Sequence, residues 1–494
     1  MEENCITINK KIVEKIKFLE VTGDIIVPDI KPDIVNIINT NGNVYICKEE
    51  VSEGKLRIDG NIDTYIVYLS DNGETRSISS NISFLESIED EKINSSTQVK
   101  YKVFIENMDT KVLNERKIST KVKIKIKLEF FEKTNITIFK EENEDLNIEK
   151  LKESMNIKSI VDFNRTKATI KEDISVDTSL DIAEILKVSV QIENTENKIS
   201  YNKILTKADA KIKIIFLTED EKIKVVENNI PVMSFVDMEK VSENNCCQVE
   251  YVMRNMAFKV NSKEMHSINC QIDYDIICEA YENKNIEIIQ DMYGIKEDIK
   301  FSKKEIDIQT EDDEKIESMQ ITENILIEDI NTILDVNCNP VILNTNASGS
   351  FISYEGEIKT DFYYEADNRN GLNVKSVNLP FIAKLEKNKI EKEIEINVSK
   401  KQFKVNNENV ECDLELTFKH SQKNIKKINI IENIEKESSQ SESDYKMYIY
   451  FVKSGDTIWE IAKKFKVCMS DIIKLNNLED PNRLSIGDRL YIMR

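Results

Sequence analysis

Very little in this 494-residue chain is equipped for covalent or metal chemistry. It holds two histidines, His266 and His420, far apart and without a ligand pattern beside either, which argues against a metal centre or a Cys-His nucleophile. Nine cysteines form no C-x-x-C pair; Cys246 and Cys247 are neighbours, and most of the others sit among apolar residues, so they read as reduced thiols. No apolar run approaches the ~18 residues of a membrane span. The start, Met1-Glu2-Glu3-Asn4-Cys5, lacks the basic stretch and apolar run of an export signal. Carboxylates are so numerous that no two stand out as a glycosidase dyad. The expectation is a cytosolic protein that is not an enzyme and has no cofactor.

Charge narrows the partners. The net charge is -21, from 69 basic and 90 acidic residues, which argues against nucleic acid and against adsorption to anionic lipid. The last 47 residues do not share it, with eight Lys and Arg against six Asp and Glu from Tyr448 to Arg494. The length allows roughly three to five domains.

Self-comparison reveals a repeat. Asp33-Ile34-Val35-Asn36-Ile37-Ile38, Asp181-Ile182-Ala183-Glu184-Ile185-Leu186 and Asp329-Ile330-Asn331-Thr332-Ile333-Leu334 are each 148 positions apart. Gly60, Ala208 and Gly356 keep that offset, as do the apolar segments around Tyr68, Phe216 and Tyr364. Asn81-Ile82-Ser83-Phe84 corresponds to Asn229-Ile230-Pro231-Val232, and Asn378-Leu379-Pro380-Phe381 lies one residue beyond the period. Alternation of polar and apolar residues, as in Asn269 to Ile276 and Glu411 to Leu416, predicts half-buried antiparallel strands. The fold class is therefore mainly β: three tandem sandwich-like repeats, 1–147, 148–295 and 296–434. The Asp-Ile-x-x-Ile stretch is also compatible with a short helix. The Lys121 to Lys127 comb reads as a solvated strand face that discourages edge pairing. Residues 435–446, polar and charged, read as a flexible linker that lets the last domain, 447–494, reorient freely.

That last domain carries the only tryptophan. Tyr448 to Val452 is β-prone and ends at the turn Ser454-Gly455-Asp456. Thr457 with Glu460 forms a capping box, and Ile458, Ile461, Ala462 and Phe465 share one face of a helix running to about Lys466. A second short helix around Ile472, Ile473 and Leu475 stops at Asn476-Asn477, and Arg489 to Met493 closes the unit as a strand. This strand-helix-helix-strand segment resembles a LysM domain, a small α+β module usually used to hold cell-wall glycan.

The departures from the LysM pattern carry as much as the match. Lys466 stands where a glycine usually follows the first helix, and must take up φ > 0 if the turn is kept. Cys468 stands where Ser or Thr usually caps the second helix, which leaves Ser470 to cap a shorter one. Ile486-Gly487-Asp488 replaces Pro-Gly-Gln. The resemblance implies a groove formed by Gly455, Asp456, Thr457, Ile458, Trp459, Asn477, Leu484, Ile486 and Gly487. An exposed isoleucine and a carboxylate suit a protein ligand better than a sugar. Trp459, between Ile458 and Ile461, is expected to pack more than to contact; Ile486 lies in a loop.

Three acidic β repeats followed by a LysM tail resemble the SipL-like SPOCS-domain proteins of endospore-forming clostridia, with Pro32-Asp33-Ile34 the clearest instance of the repeat motif. The resemblance implies a spore-coat morphogenetic protein of the mother-cell cytosol, acting at the outer forespore membrane. Its expected partner, through the LysM domain, is the coat ATPase SpoIVA, with other coat proteins besides. The competing reading is a peptidoglycan-binding wall protein or hydrolase accessory.

Overall fold

The computed structural model describes residues 5–137, 147–261, 266–296, 298–309, 313–367, 371–386, 394–422, 425–437, 446–478, 480 and 483–494. The first repeat runs β1 (Cys5–Ile26), β2 (Ile34–Ser52), β3 (Lys55–Ser70), β4 (Thr75–Glu89), β5 (Gln98–Asn114) and β6 (Lys117–Thr137). The second runs β7 (Ile148–Ser175), β8 (Ile182–Ser200), β9 (Lys203–Thr218), β10 (Ile223–Asp237), β11 (Cys246–Val260) and β12 (Ser267–Gly294). The third runs β13 (Asp298–Gln309), β14 (Asp313–Leu326), β15 (Ile330–Ser348), β16 (Phe351–Ala366), β17 (Asn373–Glu386), β18 (Ile394–Asn406), β19 (Asn409–Gln422) and β20 (Ile425–Glu437). Each repeat is two three-stranded antiparallel sheets, ordered β1-β6-β5 and β2-β3-β4 in the first, β11-β12-β7 and β10-β9-β8 in the second, β14-β19-β18 and β15-β16-β17 in the third. The alternating residues of the facing sheets fill three separate cores, built around Ile58 and Ile124, Ile214 and Ile272, and Phe362 and Leu414.

The repeat motif explains itself in the packing. Gly60, Ala208 and Gly356 pair across the sheet with Phe84, Val232 and Phe381. A Cβ on Gly60 would stand 2.3 Å from the Phe84 ring, and one on Gly356 would stand 2.5 Å from that of Phe381. Where the ring shrinks to Val232, the partner grows to alanine, so each pair conserves volume.

The Asp-Ile-x-x-Ile stretches are strand starts, not helices. Two β-bulges recur at the same place in β2, β8 and β15: between Ile34 and Asn36 and between Ile37 and Asn39, then at the equivalent residues of the other repeats. A bulge inserts an unpaired residue and breaks the two-residue period, which is why the apolar spacing imitates a helix. The residue skipped by the second bulge is Ile38, Leu186 or Leu334. These three, together with Val67, Ile215 and Tyr363, which also share one repeat position, meet in a single cluster to which every repeat contributes.

Beside that cluster the repeats have diverged in charge. Asn39, Lys187 and Asp335 are equivalent positions, and the Lys187 ammonium, 3% exposed, pairs with Asp335 and lies 3.9 Å from the centre of the Tyr363 ring. Burial pushes the Lys187 ammonium down, with Asp335 opposing. Burial would raise the Asp335 carboxyl, but Lys187 and Lys213 outweigh it and hold it below the usual carboxylate range.

At their other ends the repeats extend as paired arms. The outer half of β1 with β6, of β7 with β12, and β13 with β20 are two-stranded ribbons. Ile6, Ile8, Ile136, Met155, Ile157, Ile288, Ile428 and Ile430 join them in one core. Two expectations change here. The Lys121 to Lys127 comb lies on β6, the central strand of its sheet, so it faces solvent but guards no edge. Glu435 to Glu437, assigned by composition to the linker, are the last residues of β20 and pair with Lys300 to Asp298. Residues 438–445 of that linker lie outside the described residues.

Removing the anion beside Lys187 leaves a buried charge without its ion-pair partner. Asp335→Ala is expected to lower stability in urea denaturation by about 3–5 kcal/mol. Leu85→Ala, at a position that is 56% exposed, should change it by less than about 0.5 kcal/mol.

Candidate functional site

The C-terminal domain is β21 (Met447–Phe451), α1 (Ile458–Phe465), α2 (Met469–Leu475) and β22 (Arg489–Met493). Thr457 caps α1, its hydroxyl accepting from the Glu460 amide at 3.2 Å. Lys466 closes α1 at φ 53°, the left-handed conformation its position demands. Cys468, not Ser470, is the cap residue of α2, and its side chain makes no capping bond. The chain direction is set one turn earlier, by Lys466 and by the Val467 amide bonding to the Ala462 carbonyl, so α2 starts without a capping side chain.

The two loops expected to form a groove are brought side by side. Gly487 donates its amide to the Val452 carbonyl at 2.8 Å, and Val452 donates to the Asp488 carbonyl at 2.9 Å. Gly455 and Gly487 both hold φ near +90°, which glycine takes without strain. Asp456 folds back on its own loop, accepting from the Lys453 amide and the Tyr450 hydroxyl, each at 2.8 Å, and these bonds hold its carboxyl below the usual range. Ile486 is 74% exposed at the tip of the second loop. Leu484 is half-buried, and Asn477 is exposed at the end of α2 with φ 50°. Ile458, by contrast, is 2% exposed and belongs to the domain core.

Trp459 occupies a place that sequence reasoning did not foresee. It packs, but against another domain. Its indole meets the Tyr293 ring edge-on with centres 5.0 Å apart, and its Nε1–H donates to Asp291 at 2.9 Å. One turn on, Lys463 donates to both oxygens of the same carboxylate, at 2.7 and 2.8 Å. The Tyr293 hydroxyl donates to the Val467 carbonyl at 2.8 Å, and Lys466 pairs with Asp298. Leu151 and Ile295 complete an apolar core continuous with that of the small domain. The domain is therefore seated on the second arm, at the tip of β7 and β12, rather than free to reorient. Burial acts to raise the Asp291 carboxyl, but the bonds from Lys463 and Trp459 and the charge of Lys303 outweigh it and hold it below the usual range.

A second surface was also missed. Successive side chains of a strand alternate between faces, and the face of β21 and β22 turned away from the helices carries Met447 opposite Met493, Ile449 opposite Tyr491 and Phe451 opposite Arg489. Met447, Ile449, Phe451 and Met493 are 55–61% exposed. The sequence did carry a signal, since Met447 to Phe451 is apolar at every position, one more face than a sheet packed on helices can bury.

The arrangement is that of a tandem β-repeat protein that presents a small ligand-binding module on one of its arms. Residues 450–492 match the LysM domain family, and residues 33–113 and 181–261 match the family described as SipL, SPOCS domain. By domain composition the chain is SipL-like. Its third repeat, outside the matched segments, keeps the strand order of the other two. No solved structure matches the chain. Neither matched family is catalytic, and no helix among the described residues is long and apolar enough to cross a membrane.

Because Trp459 is the sole tryptophan, its fluorescence reports the docking of the LysM domain directly. Asp291→Ala should shift its emission to the red. The lowered carboxyl gives the pH sign: docking is fully stabilised above the ordinary aspartate range and weakens as pH falls through the lower folded value. An acid titration of the emission should therefore show a red shift below about pH 4 that Asp291→Ala lacks.

Proposed function

We propose that this protein is a non-enzymatic scaffold of spore-coat assembly, and that its LysM domain holds a coat ATPase of the SpoIVA kind while the repeats supply further contacts around the forespore in the mother-cell cytosol. The observation that carries this reading is the joining of SipL-type SPOCS domains to a LysM domain in one chain. The chemistry of the LysM surface supports a protein ligand. Ile486 is displayed on the loop that Gly487 ties to Val452, one residue from the exposed Phe451, so an apolar surface runs toward the outer sheet face. Apolar residues at a rim of polar loops fit a protein interface. Several modest contacts on one chain would raise the effective concentration of coat components at the forespore.

The test is co-purification of the full chain with a SpoIVA-type ATPase from sporulating cells. Ile486→Glu and Ile449→Glu replace exposed side chains and should leave the LysM domain folded, as judged by Trp459 emission. Each is expected to weaken capture at least about tenfold. Capture that survives both changes removes the assigned surface. Retention of the isolated domain on purified peptidoglycan, lost in Ile486→Glu, would instead favour a glycan-binding role, the reading that a LysM match also permits.

A further inference from the structure

The three seams between repeats are built on one position with three outcomes. Tyr65, Lys213 and Asp361 are equivalent in the 148-residue period. At the seam of the first and second repeats, Tyr65 is 7% exposed and inserts among the core residues of the second repeat. At the seam of the second and third, Lys213 reaches Asp335 at 3.2 Å. At the remaining seam, between the third repeat and the first, Asp361 bonds among the described residues only to Ser376, its cross-strand partner, at 2.5 Å, and a groove of about 1130 Å³ stands open. Asp361, at the position of Tyr65, lines this groove.

Its lining has a definite chemistry. Asn39, Asn41, Asn337, Asn339 and Asn378 bring amides to it from both repeats. Three of them are oriented from behind: the Tyr363 hydroxyl donates to Asn41 Oδ1 at 2.5 Å with Asn39 Oδ1 3.4 Å away, and Lys187 donates to Asn337 Oδ1 at 2.9 Å. A hydroxyl and an ammonium that occupy the amide oxygens leave the N–H₂ groups as donors. The Asn41 Nδ2 is buried and has no partner among the described residues. Asn39 and Asn41 on β2, like Asn337 and Asn339 on β15, are two residues apart, so each pair repeats at about 6.8 Å, the two-residue rise of an extended chain. β15 is an edge strand, paired on one side only. Val35, which is 59% exposed, and Met108 add aliphatic surface.

We propose that this groove binds an extended, neutral or basic peptide segment of a partner protein, its carbonyl groups accepting from the asparagine amides. Three carboxylates, Glu106, Asp109 and Asp361, against Lys111 and Lys359 set the charge preference. No aromatic ring lies among the described lining residues to stack a sugar, which favours peptide over glycan. The site is separate from the LysM surface and independent of its ligand.

The experiment uses the full chain. A displayed library of random dodecapeptides is selected on it, and enriched peptides are measured by fluorescence anisotropy against three variants. Asp361→Tyr restores the plug seen at Tyr65 and should weaken binding at least about tenfold with unchanged thermal denaturation. Asn339→Asp, isosteric but without the amide donor, should weaken it in the same direction if the plug variant does not fold. Ile486→Glu should leave it unchanged. The proposal is overturned if no peptide is enriched, if enriched peptides bind the groove variants as well as the parent, or if N-acetylglucosamine oligomers rather than peptides are displaced by Asp361→Tyr.

Discussion

The constraint on which the rest of this molecule depends is the meeting of three equivalent bulge residues, Ile38, Leu186 and Leu334, at a shared apolar cluster. Each repeat could bury its own two sheets unaided, yet the bulge pushes one extra side chain out of the strand and toward the other copies. That displacement, with the shared core of the arms, joins the three sandwiches. It also places Asn39, Lys187 and Asp335 together, where identical residues would have been intolerable: three buried ammoniums or three carboxylates would repel. Divergence to neutral, cationic and anionic lets Lys187 pair with Asp335 while Asn39 lies 3.4 Å from the hydroxyl of Tyr363, the ring that Lys187 covers.

The same geometry explains how much was legible beforehand. Strand segments followed from two-residue alternation, the repeat from its fixed offset, and the LysM elements from caps and helical periodicity, down to the left-handed Lys466 and the limits of β22. The motif at Asp33 was ambiguous because a doubly bulged strand has no simple period, and only pairing across the sheet resolves it. The arms were invisible as arms: nothing in the local pattern around Ile6, Ile157 or Ile430 says that these side chains share a core.

At the site, the visible part was local and the hidden part was long-range. The turn glycines, the Thr457 cap and the exposed Ile486 follow from a few adjacent residues. The seat for Trp459 does not, since Asp291, Tyr293 and Asp298 lie on or beside a different domain about 170 residues earlier in the chain and carry no mark in an acidic sequence. An aromatic at a helix start reads as core filling, and Trp459 does fill a core, but one shared between domains. Ile458, beside it, is packed into the domain's own interior.

The common core of the arms joins the first described strand to the last strand of the third repeat, since Ile6 and Ile8 lie with Ile428 and Ile430. A contact spanning so much sequence cannot form until nearly all of the repeat region has been synthesised. Until then the outer half of β1 has apolar side chains with no partner from the third arm. The LysM domain follows that point in the chain and seats on an arm about 170 residues earlier, whose apolar core is complete only once Ile428 and Ile430 have joined it. A chain that stops before Ile428 thus has neither a completed core in its arms nor the domain that stands on one of them.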